Sequence, residues 1–327
     1  MRMRMQPRSV HRSSACGASR LLVVLGLLTV LMLLQAAAAQ AEDRDLILGG
    51  TVRTYRLFVP ESLAPGEPPP LLLALHGRGG TGGSMADLTG FDELARRQGV
   101  IVAYPDGLGR EWNYLVGVGG NQGVDDVLFL EELVRDVDRL HRIDASRVFV
   151  AGFSNGGFMA QRLACQAGSP ISAFGVVAAA GFGGMPGLCG QPAPISMLLI
   201  HGTADTVVPW GGGTAVVEGR EVLLSASAAD TFAFWADSTG CSGGASRSDL
   251  PQTGRSPGTS VVKLRADSCR EGHRVVLYAV LNGGHNWPGS SRAAVAGPVN
   301  RDIDATELIW QFFRETASSS GGTPPSD

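Results

Sequence analysis

Arg147-Val148-Phe149-Val150-Ala151-Gly152-Phe153-Ser154-Asn155-Gly156-Gly157-Phe158-Met159 is the stretch whose reading decides the fold. A short run rich in β-branched and aromatic residues stops at Gly152. A serine follows at Ser154, and helical spacing of apolar residues begins at once with Phe158, Met159, Leu163 and Ala164. Strand, tight turn and helix in that order match the G-x-S-x-G elbow, in which a strained turn presents the serine hydroxyl. The glycines meet a steric need, because side chains flanking that turn would collide with neighbouring backbone. The competing reading is a glycine-rich turn with an incidental serine, since both are ordinary turn residues. Residues elsewhere in the chain decide between the two.

Outward from the elbow, apolar runs alternate with helical patterns. Thr51 to Val59 reads as an early strand after a short polar lead. Leu71-Leu72-Leu73-Ala74-Leu75 reads as a strand buried on both faces of a parallel sheet. Met85 to Gln98 has helical periodicity, Val100 to Tyr104 is a strand, and Pro105 to Gly123 is a long Gly-rich loop carrying Trp112 and Tyr114. Val124 to His141 places Val127, Leu130, Leu133, Val134, Val137 and Leu140 on one helical face. Further strands are expected near Ala173–Ala179, Ile195–Ile200 and Arg274–Leu281, with helices at Ser225–Ser238 and Ala305–Thr316. No element is assigned to Gly240–Gly258. The alternation predicts a mostly parallel sheet with helices on both faces, in one α/β domain over residues 45–316 with no large lid. Residues 317–327 read as a disordered polar tail.

The chain has 327 residues, and a hydrophobic fraction of 44% is ample for a core. A net charge of −3 gives no basic footprint for nucleic acid. Residues 1–41 combine scattered arginines, an apolar run from Leu21 to Leu34 and an Ala39-x-Ala41 site. That is the pattern of a secretory signal peptide cut near Ala41. The apolar run is shorter than the ~20 residues of a membrane span, although the alanines that follow could lengthen it. A secreted or periplasmic chain with no stable membrane anchor is expected. Export makes Cys165, Cys189, Cys241 and Cys269 candidates for disulfides, with three pairings open. Nearest-neighbour pairing, Cys165–Cys189 and Cys241–Cys269, closes the shortest loops and is expected.

A serine hydroxyl needs a base, and the base needs an orienting acid. In open α/β sheets such groups sit beyond the carboxyl ends of strands, and the elbow fold orders them Ser, acid, His. His273 precedes its strand, whereas His285 follows it within Asn282-Gly283-Gly284-His285-Asn286-Trp287-Pro288-Gly289, so His285 is the expected base. Asp205 follows the Ile195–Ile200 run in His201-Gly202-Thr203-Ala204-Asp205 and is the expected acid; its bland alternative is a turn-forming aspartate. Backbone N–H groups must meet the developing oxyanion. Asn155 is one expected donor. Arg78 or Gly79, in His76-Gly77-Arg78-Gly79-Gly80, is the other.

Together His76-Gly77-x-Gly79-Gly80, Val124-Asp125-Asp126-Val127, the elbow, His201 to Asp205 with Val208-Pro209, and Gly283 to Gly289 resemble the polyhydroxybutyrate depolymerase-like esterases. Feruloyl and acetylxylan esterases with the same α/β-hydrolase domain are similar. The resemblance implies Ser154 as nucleophile, Asp205 as orienter, His285 as base, and cysteine bridges near those expected. Many polyester depolymerases add a linker and a polymer-binding domain; neither is visible here, which weakens an expectation of attack on solid polymer.

The elbow implies acyl transfer to water without naming the acyl group. Trp112, Tyr114, Trp210 and Trp287 are expected aromatic walls for a feruloyl ring, a sugar or a polyester unit, with ordinary loop packing as the alternative. No metal ligand set or nucleotide loop is visible, so no cofactor is implied, and the expected partner is an ester substrate. A serine peptidase of the same fold and a non-catalytic secreted binding module are the other readings. The complete Ser, Asp and His set argues against the second of these.

Overall fold

The computed structural model describes Met1 and residues 40–115, 123–166, 171–190, 192–217, 220–292 and 295–320. The signal-peptide reading therefore lies outside the described residues, apart from Met1, Gln40 and Ala41. The tail reading does so from residue 321.

Among the described residues ten strands form one sheet. In chain order they are β1 (Gln40–Leu48), β2 (Thr51–Val59), β3 (Leu71–Leu75), β4 (Ile101–Pro105), β5 (Val148–Phe153), β6 (Ala173–Val177), β7 (Ser196–Gly202), β10 (Ala245–Asp249), β11 (Ser260–Ala266) and β12 (Val275–Leu281); β8 (Gly213–Val217) and β9 (Arg220–Ser225) form a separate hairpin. The sheet order is β1-β2-β4-β3-β5-β6-β7-β12-β11-β10. From β4 through β12 every neighbouring pair is parallel, and antiparallel strands flank that block on both sides. The parallel strands are mostly apolar, as burial on both faces demands, with buried Ser196 and His201 the polar positions of β7.

Helices cover the two faces. Phe129, Leu133, Met159 and Trp235, from α3 (Asp126–His141), α4 (Asn155–Gln166) and α6 (Ala228–Ser238), enter the core on one side. Met85, Phe91, Leu94, Ile309 and Phe313, from α1 (Gly82–Thr89), α2 (Phe91–Gln98) and α7 (Ala305–Ser320), enter it on the other. A short helix, α5 (Met185–Cys189), leads into the first disulfide.

Several sequence expectations are corrected here. The helix expected over 85–98 is two helices, because Gly90 takes a left-handed conformation (φ 66°) that ends α1 and starts α2. The polar lead before Thr51 is the edge strand β1. Its polar sequence fits a strand exposed along most of its length, and it carries the domain upstream of residue 45. The hairpin β8–β9, the exposed strand β10 and its neighbour β11 carry too little hydrophobic alternation to be assigned from sequence. The closing helix runs to Ser320, so residues 317–320, read as tail, are helical.

Among the described residues two disulfides are present, Cys165–Cys189 and Cys241–Cys269. The second ties the end of α6 to the turn after β11 across 28 residues. Replacing Cys241 and Cys269 by serine is expected to cost about 2–4 kcal/mol, by loosening constraint on the unfolded chain. Urea denaturation measures it, and an unchanged midpoint would contradict the expectation.

Candidate active site

The parallel block decides where the polar residues meet. Strands β3, β5, β7 and β12 run in the same direction, so the loops after them emerge at one rim. His76 follows β3, Ser154 follows β5, Asp205 follows β7 and His285 follows β12.

Ser154 sits at φ 53°, a left-handed conformation that ordinary side chains avoid. The glycines around it make the turn feasible. A Cβ on Gly152 would run into the Gly156 carbonyl, and one on Gly156 into the Leu75 carbonyl. The turn is thus pressed against both its own helix and the end of β3.

From Ser154 a chain of hydrogen bonds runs inward. The Ser154 hydroxyl lies 2.9 Å from His285 Nε2 and donates to it, while His285 Nδ1–H donates to Asp205 Oδ2 at 2.7 Å. The other carboxylate oxygen of Asp205 accepts the backbone N–H groups of Val207 and Val208, both at 2.8 Å. Asp205 therefore forms the aspartate turn of the bland reading and also holds the imidazole. Burial works to raise its pKa. The His285 contact and the Val208 and Val207 amides outweigh that and hold the carboxyl below the usual carboxylate range.

Packing between loops fixes the imidazole. Ala204 N–H donates to Gly283 O at 2.9 Å, joining the Asp205 loop to the His285 loop. Asn286 accepts Val295 N–H at 2.6 Å and donates to the carbonyls of Ala296, Gly297 and Pro298, anchoring the segment that backs His285. The ring of Phe153 lies 5.1 Å from that of His285.

The His76–Gly80 loop is held by the segment around Arg110. Gly79 N–H donates to Arg110 O at 2.8 Å and Gly80 N–H to Gly77 O at 2.9 Å, while the Arg78 side chain pairs with Glu111. His76 accepts Gly107 N–H at Nε2 (2.9 Å) and donates from Nδ1 to Gly77 O (2.7 Å). That pattern needs a neutral ring. Of the two expected second donors, Gly79 has its N–H committed elsewhere. Among the described residues the N–H groups of Arg78 and Asn155 donate to no backbone carbonyl. Asn155 opens α4, where helix geometry leaves the N–H unpaired.

The four expected aromatic walls divide. Trp112 and Trp287 are each 1% exposed and offer no face to a ligand. Trp112 Nε1–H donates to His76 O at 2.9 Å and its backbone N–H to Asn155 Oδ1 at 2.7 Å, so it braces the elbow against the His76 loop. Trp287 Nε1–H donates to Thr306, and its ring meets Phe91 edge-on. Tyr114 and Trp210 are half-buried; Tyr114 stacks on Phe158 at 4.7 Å and Trp210 meets His201 at 5.9 Å. Sequence reasoning missed Asp126, quoted only as part of a motif. It is fully buried, pairs with Arg53 at 2.6 Å and accepts Asn113 N–H at 2.7 Å, next to Trp112.

The sequence pattern of the esterase PHB depolymerase family matches residues 53–189. Feruloyl esterase C of Emericella nidulans is 30% identical over 268 residues, covering 80% of this chain and 83% of that protein. The chain belongs to this esterase family. The chain is also similar to NocK, named as an esterase, from Nocardia uniformis subsp. tsuyamanensis. It is 31% identical over 301 residues, 85% of this chain and 83% of its own length. The solved acetyl xylan esterase from Aspergillus awamori shares the fold, with a TM-score of 0.54 at 16% identity over 84% of this chain and 99% of that one. Esterase activity on carboxylic esters is the family's common ground.

Two further histidines of the motifs flank the Ser154 hydrogen-bond chain, His76 in the loop after β3 and His201 with Nε2 3.7 Å from Asp205 Oδ2. Burial holds the rings of His76 and His201 below the ordinary histidine range, although the Gly77 carbonyl and Asp106 at His76, and the Val208 carbonyl, Asp205 and the Ala179 carbonyl at His201, favour a proton on them. Partial burial lowers His141 and His273 in the same direction. The fold therefore binds fewer protons at these rings than the unfolded chain. Stability is complete above the unfolded value of about 6.5 and is lost as the pH falls toward the lowered folded values. The urea midpoint is expected to drop between about pH 7 and pH 5, and by less in His201→Asn. An equal drop in that variant would remove His201 from the account.

Proposed function

We propose that this esterase hydrolyses carboxylic esters through an acyl-enzyme on Ser154, with His285 as general base and acid and Asp205 as its orienter. The observation that carries the reading is the continuous hydrogen-bond chain Ser154–His285–Asp205, with both imidazole nitrogens within 2.9 Å of their partners. Ser154 Oγ attacks the ester carbonyl carbon as His285 Nε2 takes its proton. The carbonyl oxygen gains negative charge and accepts the N–H groups of Asn155 and Arg78, each worth about 3 kcal/mol in the transition state. The C–O bond to the alcohol breaks, and His285 gives its proton to the departing oxygen. Water then repeats the sequence on the acyl-serine, releasing the acid and restoring the hydroxyl. Asp205, its carboxylate held by His285 Nδ1–H and by the Val207 and Val208 amides, stays ionised and favours the imidazolium that forms at each step.

The substrate is a feruloyl- or acetyl-decorated polysaccharide ester or a short hydroxyalkanoate ester. Names of relatives, feruloyl esterase C and acetyl xylan esterase, support the first two. Export through cleavage of residues 1–41 is supported by the signal pattern and by two disulfides, which persist in oxidising compartments. No helix among the described residues is long and apolar enough to cross a membrane.

A fluorophosphonate probe is expected to label the protein at Ser154 and to leave Ser154→Ala unlabelled. A panel of methyl ferulate, acetylated xylan, 4-nitrophenyl acetate and hydroxybutyrate oligomers then ranks the acyl groups. Labelling that survives in Ser154→Ala would sink the assignment of the nucleophile.

A further inference from the structure

Strand β7 alternates its side chains between two faces, and Met197, Leu199 and His201 share the one turned to the α3, α4 and α6 core. Apolar residues fill the first two positions. The third is an imidazole only 2% exposed, in a place where a polar ring costs free energy unless it is paired. Its Nε2 lies 2.8 Å from Val208 O and its Nδ1 lies 3.3 Å from Ala179 O, just beyond β6. A carbonyl can only accept, and burial keeps the ring below the ordinary histidine range, so one nitrogen carries the proton. The shorter contact takes it: Nε2–H donates to Val208 O.

That bond falls where the loop after β7 closes on its own aspartate. Val208 N–H donates to Asp205 Oδ1 at 2.8 Å, beside Val207 N–H at the same distance. Val208 is thus pinned at both ends, its N–H to the carboxylate and its C=O to His201. The other flank of the loop offers little support, since Val207 is 56% exposed. His201 does not compete for the carboxylate. Its Nε2 is 3.7 Å from Asp205 Oδ2, beyond hydrogen-bond reach, and that oxygen accepts His285 Nδ1–H at 2.7 Å.

We propose that His201 is a positioning residue for catalysis: by holding the Val208 carbonyl it fixes the two amides that orient Asp205, and through Asp205 the ring of His285. This rests on the reading of Ser154, His285 and Asp205 as the catalytic chain. A carboxylate free to turn lets the His285 ring turn with it, and a displacement of about 1 Å at the reacting groups can cost ~10²-fold. His201 is buried behind the aspartate and meets no substrate, so its removal falls on turnover rather than on binding.

The experiment measures kcat and KM on 4-nitrophenyl acetate for His201→Leu, His201→Gln and His201→Asn, with and without Asp205→Ala. Rates are referred to the serines titrated by a fluorophosphonate, and circular dichroism reads folding. His201→Leu is expected to lower kcat by about 10–100-fold and to leave KM within about twofold of wild type. Glutamine can place an amide N–H where the imidazole has Nε2–H, and should restore kcat to within about fivefold of wild type. Asparagine, whose shorter amide matches Nδ1 on the Ala179 side, should behave as leucine does. Asp205→Ala alone should cost ~10³-fold or more. In that background His201→Leu should cost less than about twofold further, because the group it acts through is gone. A residue that only stabilised the fold would lose the same factor in both backgrounds. Equal losses in the two backgrounds, or equal activity of the glutamine and asparagine variants, overturn the proposal while the catalytic chain stands. Where His201→Leu does not fold, the glutamine and asparagine comparison decides alone. Near-wild-type turnover in Asp205→Ala removes the catalytic reading, and the proposal with it.

Discussion

Replacing His285 by alanine is expected to lower kcat by at least ~10³-fold on every ester the wild type accepts. The reason is positional. His285 Nε2 is 2.9 Å from Ser154 Oγ. Without that acceptor the hydroxyl must be deprotonated by water, and the departing alkoxide finds no proton donor. The Asn155 and Arg78 amides would survive the change, so a residual rate above the uncatalysed one should persist. The loss should appear in kcat more than in KM, because the imidazole acts on the transition state rather than on bound substrate. Fold integrity can be read from the urea midpoint of the same variant. A folded His285→Ala protein with near-wild-type turnover would break the proposed mechanism at its centre.

The second large effect concerns stability. Asp126→Ala is expected to cost roughly 3–5 kcal/mol, the range for leaving one member of a buried ion pair uncompensated. Arg53 is 4% exposed and Asp126 is 0% exposed, with the guanidinium 3.8 Å over the Phe129 ring. Removing the carboxylate strands that charge and also releases Asn113 N–H, one residue from Trp112. Trp112 in turn bonds to both His76 and Asn155, so catalysis should weaken along with stability. Replacing both partners together, with Arg53→Met and Asp126→Leu, should recover much of the stability, since an apolar pair of similar volume is often neutral there. Urea unfolding of the single and double variants decides it. A single-variant loss below about 1 kcal/mol would mean that solvent reaches the pair.

Much of the candidate site was legible because its logic is local and directional. The elbow declares itself through a strand, two glycines and a helix start within thirteen positions. A parallel sheet then sends the loops after β5, β7 and β12 to one rim. Choosing between His273 and His285 needed only the direction of the last strand. His273 in fact lies before it, 3.2 Å from Ser196 at the opposite end of β7.

Sequence could not assign partners between distant segments. Trp112 and Trp287 sit in loops, where an aromatic residue reads the same whether it faces solvent or core. Their burial depends on carbonyls and hydroxyls of His76 and Thr306, one of them 36 positions away. Gly79 looked as suitable as Arg78 until its amide was found on Arg110 O.

By itself, the sequence determined the α/β alternation, the turn that lifts Ser154, and the strand ends from which Asp205 and His285 leave. Hydrophobic periodicity and turn chemistry act over a few residues and are written directly in the chain. Only the tertiary structure decided which amides stay unpaired for an oxyanion, which aromatic rings are scaffold, and which carbonyl the buried His201 ring meets. Those outcomes depend on which polar groups are already satisfied once remote loops pack together, and on space left over between them. Neither quantity exists until the chain has folded.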